Sequence, residues 1–113
     1  MIKFINFKKA EIKMLGKREV YNGASLVIDI YCYNIIGELD IPIYLHYQCI
    51  EDGVTIKTET FQPSSYSFSL PISRDCTTLT TDDVLKTRTI AVSAEFANGY
   101  LAVDTFDFNI MRI

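Results

Sequence analysis

The chain has no tryptophan, a single histidine and only three cysteines in 113 residues, and each scarcity removes a class of chemistry. With His46 alone, no multi-histidine metal centre can be written. No Gly-x-Ser-x-Gly elbow marks a nucleophile. The five glycines are scattered, so no loop offers the run of bare backbone amides that cradles phosphate. Cys32, Cys49 and Cys76 are odd in number and far apart, which yields neither a closed disulfide framework nor a Cys-x-x-Cys zinc site. Cys32 and Cys49 fall on apolar strand faces, where a reduced thiol behaves as a small hydrophobe. That usage fits a reducing cytosol. Cys76 with His46 as its base is the one thiol pairing to consider, and no spacing brings the two together. The chain reads as non-enzymatic, with no cofactor and no metal.

Long apolar runs are missing as well. Even Leu26 to Tyr33 is broken by Asp29, well short of the roughly 18 apolar residues a membrane span needs. The opening Met1-Ile2-Lys3-Phe4-Ile5-Asn6 carries no apolar core of a signal peptide, so a cytoplasmic location is expected, or a virion if the source is viral. Net charge is −3 and the pI is about 5.0, which argues against a nucleic-acid partner. The charge is uneven. Lys3, Lys8, Lys9, Lys13, Lys17 and Arg18 face only Glu11 and Glu19 in the first twenty residues, leaving a mildly acidic body. Lysines along a terminal strand more often blunt an exposed edge against unwanted pairing than dock an acidic partner, and the first role is expected here.

What the chain does have is alternation. Hydrophobic residues make up 49% of it, enough for one core, and no composition break suggests a linker, so residues 1–113 read as one domain. The period is two, not 3.6. Leu26, Ile28, Ile30 and Cys32 alternate with Val27, Asp29, Tyr31 and Tyr33. Ile41, Ile43, Leu45, Tyr47 and Cys49 alternate with Pro42, Tyr44, His46 and Gln48. Val54, Ile56 and Thr58 interleave with Thr55, Lys57 and Glu59, and Tyr66, Phe68, Leu70 and Ile72 with a solvent row of Ser65, Ser67, Ser69 and Pro71. In the first segment Ile5 and Phe7 share one phase while Ala10, Ile12 and Met14 share the other, which implies a bulge or a change of sheet at Lys8-Lys9. Tyr21-Asn22-Gly23 and Glu51-Asp52-Gly53 are turn signals.

Asn98-Gly99 predicts a two-residue hairpin with Phe96 opposite Leu101 and Ala94 opposite Val103. Held to that register, Val92 would meet Thr105. A β-bulge near Asp104 or Thr105 is therefore predicted, restoring Val92 to Phe106 and Ile90 to Phe108. Residues 73–86 are polar and threonine-rich, with Thr80-x-x-Asp83 as a weak helix start.

Seven strands at near-regular spacing and one longer crossover predict an all-β, seven-stranded antiparallel Greek-key β-sandwich. In strand count and spacing the layout is similar to immunoglobulin-like and fibronectin-like sandwiches in general. It departs from the antibody pattern in lacking the tryptophan, the inter-sheet cysteine pair and a clear tyrosine corner, and a shared fold does not license a function.

Two surfaces carry functional expectations. If residues 35–40 form a hairpin connection, Tyr31, Tyr33, Tyr44, His46 and Gln48 share one face, a composition suited to a protein interface. If the connection instead crosses between sheets, the patch is scattered. Asp75, Asp82, Asp83, Asp104 and Asp107 would offer calcium ligands only if the long loop folds over the last hairpin. The expected function is a structural or protein-interaction module assembling into a larger complex, by a protein partner or as a homo-oligomer, with no membrane contact. A phage or viral virion component, an adaptor and an inhibitor are instances. The alternative is a ligand module for carbohydrate or calcium.

Overall fold

The computed structural model describes residues 9–97 and 99–112. Eight strands run in chain order: β1 (Glu11–Leu15), β2 (Glu19–Tyr21), β3 (Leu26–Tyr33), β4 (Tyr44–Glu51), β5 (Val54–Phe61), β6 (Ser67–Ile72), β7 (Leu85–Glu95) and β8 (Leu101–Met111). A three-residue 3₁₀ turn, Arg74–Cys76, follows β6. One sheet has the order β1-β3-β6 and the other β2-β8-β7-β4-β5. Hairpins join β4 to β5 and β7 to β8, while the β3–β4, β5–β6 and β6–β7 connections cross between the layers. The protein is an all-β sandwich with Greek-key wiring and an immunoglobulin-like layout.

The alternating rows meet between the layers. Ile12, Ile28, Ile30, Cys32, Leu70 and Ile72 from the smaller sheet are buried, as are Leu45, Tyr47, Ile90, Val92, Phe106, Phe108 and Ile110 from the larger. Full burial of an aliphatic or aromatic side chain is worth about 1.5–3 kcal/mol, so these rows supply the bulk of the favourable free energy of folding. Burial pushes the Cys32 thiol up to about 11, which keeps it an uncharged hydrophobe at neutral pH.

The eighth strand comes from splitting the first segment. A change of sheet falls at residues 16–18; the switch expected at Lys8-Lys9 concerns Ile5, Phe7 and Lys8, which lie outside the described residues. A Cβ on Gly16 would stand 3.1 Å from the Val27 carbonyl and 3.4 Å from the Phe106 ring, so the crossing chain passes tightly there and a side chain would push its neighbours aside by a few tenths of an ångström. β2 then pairs parallel with β8, a departure from the expected purely antiparallel order.

The Glu51–Val54 hairpin has Asp52 at φ 50° and Gly53 at φ 78°, the positive angles that a type I′ turn requires. The β7–β8 hairpin differs from expectation. Glu95 pairs with Leu101, Ala94 with Ala102 and Ile90 with Phe106, in one unbroken register. Phe96 N–H donates to the Tyr100 carbonyl at 2.9 Å, so three residues form the loop, with Gly99 at φ 85°. Asn98 itself lies outside the described residues. No bulge occurs at Asp104 or Thr105. Asp104 holds an inward-phase position at a corner where the two sheets do not cover each other, exposed in a groove beside Lys9 and Lys13. That corner, rather than an extra residue, breaks the apolar pattern.

Two further rows shift. β4 begins at Tyr44, and before it Pro42 is buried while Ile41 and Ile43 are exposed, because the chain is still crossing between the sheets. The β4–β5 register slips between Cys49 and Ile50, so Lys57, Glu59 and Phe61, not Thr58, take the phase of the core row beyond Ile56.

Candidate functional site

The five residues expected to share a face are divided between the two sheets. Asn34 Oδ1 accepts the Ile36 and Glu38 amides at 3.1 Å, Gly37 turns at φ 82°, and the Ile43 amide then donates to the Glu95 carbonyl of the other sheet at 2.8 Å. Tyr31 and Tyr33 therefore stay on the outer face of the smaller sheet, in rows with Lys13, Ser67 and Glu11. The Lys13 ammonium sits 5.1 Å from the centre of the Tyr33 ring. Tyr44, His46 and Gln48 lie on the outer face of the larger sheet, opposite Glu95, Ser93 and Ala91. The tyrosine patch as expected does not form, because alternation tells which side of a strand is wet and not which sheet the strand joins.

A different surface replaces it. On the larger sheet, Tyr44, Glu95 and Leu101 form one outer row, and Thr60, His46, Ser93 and Val103 the next. His46 Nδ1 is held at 2.9 Å from Thr60 Oγ1. Ala91 and Ser93 are small and floor a shallow groove of about 210 Å³, with His46, Gln48 and Val103 as its walls. On the same outer face Val103 is 63% exposed and Leu101 59%, with the exposed ring of Tyr44 in the Leu101 row. Leu101 and Val103 owe this exposure to the three-residue loop, which turns odd-numbered residues of β8 outward.

Beneath the same sheet, on its core side, lies a sealed polar cluster. The Arg88 side chain is 1% exposed; its Nε donates to Glu51 Oε1 at 3.1 Å, and one Nη donates to the Asp75 and Cys76 carbonyls at 3.2 and 3.0 Å. Tyr47 donates its hydroxyl to Glu59 at 2.7 Å and accepts the Ser73 amide at 3.1 Å. Burial, then the Glu59 hydrogen bond, push the Tyr47 phenol well above its ordinary value. Cys49 and Cys76 are both fully buried, and the Cys49 thiol donates to the Cys76 carbonyl at 3.9 Å. The Cys49 side chain, then burial, push the Cys76 thiol up, while the Cys76 side chain pushes the Cys49 thiol down. The cluster fastens the loop after β6 to the central strands. The readable signal for it was a charged residue, Arg88, in phase with Ile90, Val92 and Ala94.

The other constellations do not assemble. His46 is on the outer side of β4 and Cys76 on the core side, so they form no thiol–base pair. Asp75 pairs with Lys57 at 3.6 Å, Asp83 accepts from Thr81, Asp107 accepts from Thr89 at 2.6 Å, and Asp104 lies at a separate corner. Among the described residues, no group of three or more histidine, cysteine, aspartate or glutamate side chains is placed to hold a metal ion. Of the basic segment, Lys9, Lys13, Lys17 and Arg18 are described; β1 is an edge strand, and Arg18 stacks 4.2 Å from the Phe106 ring centre. Lys3 and Lys8 lie outside the described residues.

No family model matches the chain, and no curated protein matches it in sequence. Solved structures do match in fold. Superoxide reductase (neelaredoxin) from Ignicoccus hospitalis aligns with a TM-score of 0.59 at 10% identity, over 88% of this chain and 80% of that one. A conjugate transposon protein from Bacteroides vulgatus aligns at 0.54 and 15% identity, over 96% and 90%. The CARDB domain of a Pyrococcus furiosus protein, solved in complex with di-metal ions, aligns at 0.51 and 15% identity, over 98% and 100%. The chain is thus similar to small β-sandwich domains; identities this low establish the fold alone.

Proposed function

We propose that the protein is a non-enzymatic interaction module whose docking face is the outer surface of the larger sheet at its Tyr44, Leu101 and Val103 corner. The observation that carries this reading is the exposure of Leu101 and Val103 on consecutive outward positions of one strand, beside Tyr44 and the Ala91–Ser93 groove. Outward strand positions of a sheet that meets only water are ordinarily polar, as Ser67, Ser69, Thr87 and Thr89 are here, and a contiguous apolar patch with aromatic rings is the composition of an interface centre. The occupant is a protein surface with a complementary apolar anchor. Virion or mobile-element assembly, an adaptor and an inhibitor are all roles this surface suits.

The test places a photo-activated cross-linking side chain at Val103 in producing cells, with Val27 on the outer face of the smaller sheet as the comparison. A discrete adduct is expected from Val103 alone, and it should vanish when Tyr44→Ser and Leu101→Asp are added. An adduct of twice the chain mass identifies a second copy as the partner. Equal adducts from both positions, or none from Val103, would overturn the proposal.

A further inference from the structure

We infer that Cys49 and Cys76 are a reversible dithiol–disulfide pair, a redox modification site that covalently fastens the loop after β6 to the central strand β4. The two cysteines come from separate elements and meet in the core, where the Cys49 thiol donates to the Cys76 carbonyl at 3.9 Å. Cys76 is held in place from its own backbone: its carbonyl receives the Arg88 guanidinium at 3.0 Å, and its amide donates to the Ser73 carbonyl at 2.9 Å. Cys49 is fixed within β4, paired to Ile90 on one side and Lys57 on the other. A pair this constrained gains from bond formation without having to be gathered first. The third cysteine, Cys32, is buried in β3 of the opposite sheet and serves as an internal control.

The chemistry is asymmetric. The neighbouring Cys76 side chain and the buried Arg88 cation, which also holds the Cys76 carbonyl at 3.0 Å, favour charge at the Cys49 sulfur, so Cys49 is the attacking thiolate. With a small-molecule disulfide as oxidant, Cys49 loses its proton and attacks one sulfur. The oxidant's S–S bond breaks, and the first small thiol leaves with that proton. Cys76 then gives up its own proton and attacks Cys49 Sγ, breaking the mixed disulfide and releasing the second small thiol. Two protein thiols lose two electrons and two protons to one disulfide, which becomes two thiols. Opening of the loop that holds Ser73 to Thr77 admits the oxidant.

The experiment unfolds the protein and refolds it across a series of oxidised-to-reduced glutathione ratios, so that burial cannot block access. Free thiols are alkylated in denaturant, and digestion with trypsin and a Glu-specific protease separates the three cysteines. A linked Cys49–Cys76 peptide, about 2 Da lighter than its reduced parts, is expected, with Cys32 alkylated throughout. The oxidised protein should melt on the order of 10 °C higher than the reduced one. The Cys32→Ala variant should behave the same, and Cys76→Ser should lose the transition. Glutathione adducts without a link, links to Cys32, or an oxidised form that melts no higher than the reduced form would each overturn the inference.

Discussion

Glu51→Ala is expected to destabilise the protein by about 3–5 kcal/mol, because it leaves the Arg88 guanidinium buried without its counter-charge. The Glu51 side chain retains 20% exposure whereas that of Arg88 has 1%, so the two halves of the pair are unequal. Removing the cation instead, as Arg88→Met, replaces it with an apolar chain of similar length and leaves a carboxylate that water can still reach. That change should cost roughly 1–3 kcal/mol, from the Asp75 and Cys76 carbonyls losing the guanidinium, the second keeping only the long Cys49 thiol contact. Urea unfolding of both variants checks the order. A Glu51→Ala loss no larger than that of Arg88→Met would mean that the buried charge is not what fastens the loop.

The second large effect is Phe106→Ala, expected to cost about 3–5 kcal/mol by opening a cavity at the centre of the sandwich. Phe106 stands opposite Ile90, carries the Arg18 guanidinium on its ring, and walls the Gly16 crossing, so the loss also reaches the point where the chain changes sheets. Val103→Asp, three residues earlier on the same strand, should change stability by less than about 0.5 kcal/mol, since its side chain meets solvent. The contrast is informative because a two-residue turn at Asn98-Gly99 would set Val103 against Ala94 in the core. A charge there would then be among the most damaging substitutions in the chain.

Alternation was legible because side chains on extended backbone point to opposite sides, and the buried rows of β3, β6 and β7 follow it closely. The Asp52-Gly53 turn was legible too, since few residues accept positive φ twice in succession. Three things were not. A glycine after a polar residue serves two-residue and three-residue hairpin loops alike, so Asn98-Gly99 named the turn without fixing its length. Ile41 and Ile43 carry the apolar phase of β4 back into a segment that is crossing between layers, where phase has no meaning. Asp104 breaks the pattern of β8 because the opposing sheet ends there, which no local sequence feature records.

The candidate face was missed for the same reason. With Leu101 and Val103 assigned inward, the outer surface of the last hairpin had no apolar residues to notice, and the tyrosines drew attention to strands that lie in different sheets. Likewise Arg88 has a charge that marks it for the surface, although its phase with Ile90 and Val92 places it in the core.

The hairpin register decides both the core and the proposed docking face, and nuclear Overhauser contacts between opposed α-protons read it directly. Phe96 and Tyr100 are hydrogen-bonded, so Ser93 with Val103 and Ala91 with Thr105 are the close, non-bonded pairs of an antiparallel ladder. Strong α-proton contacts are expected within those two pairs. Contacts between Ala94 and Val103 instead would put Leu101 and Val103 in the core, and the docking face would not exist.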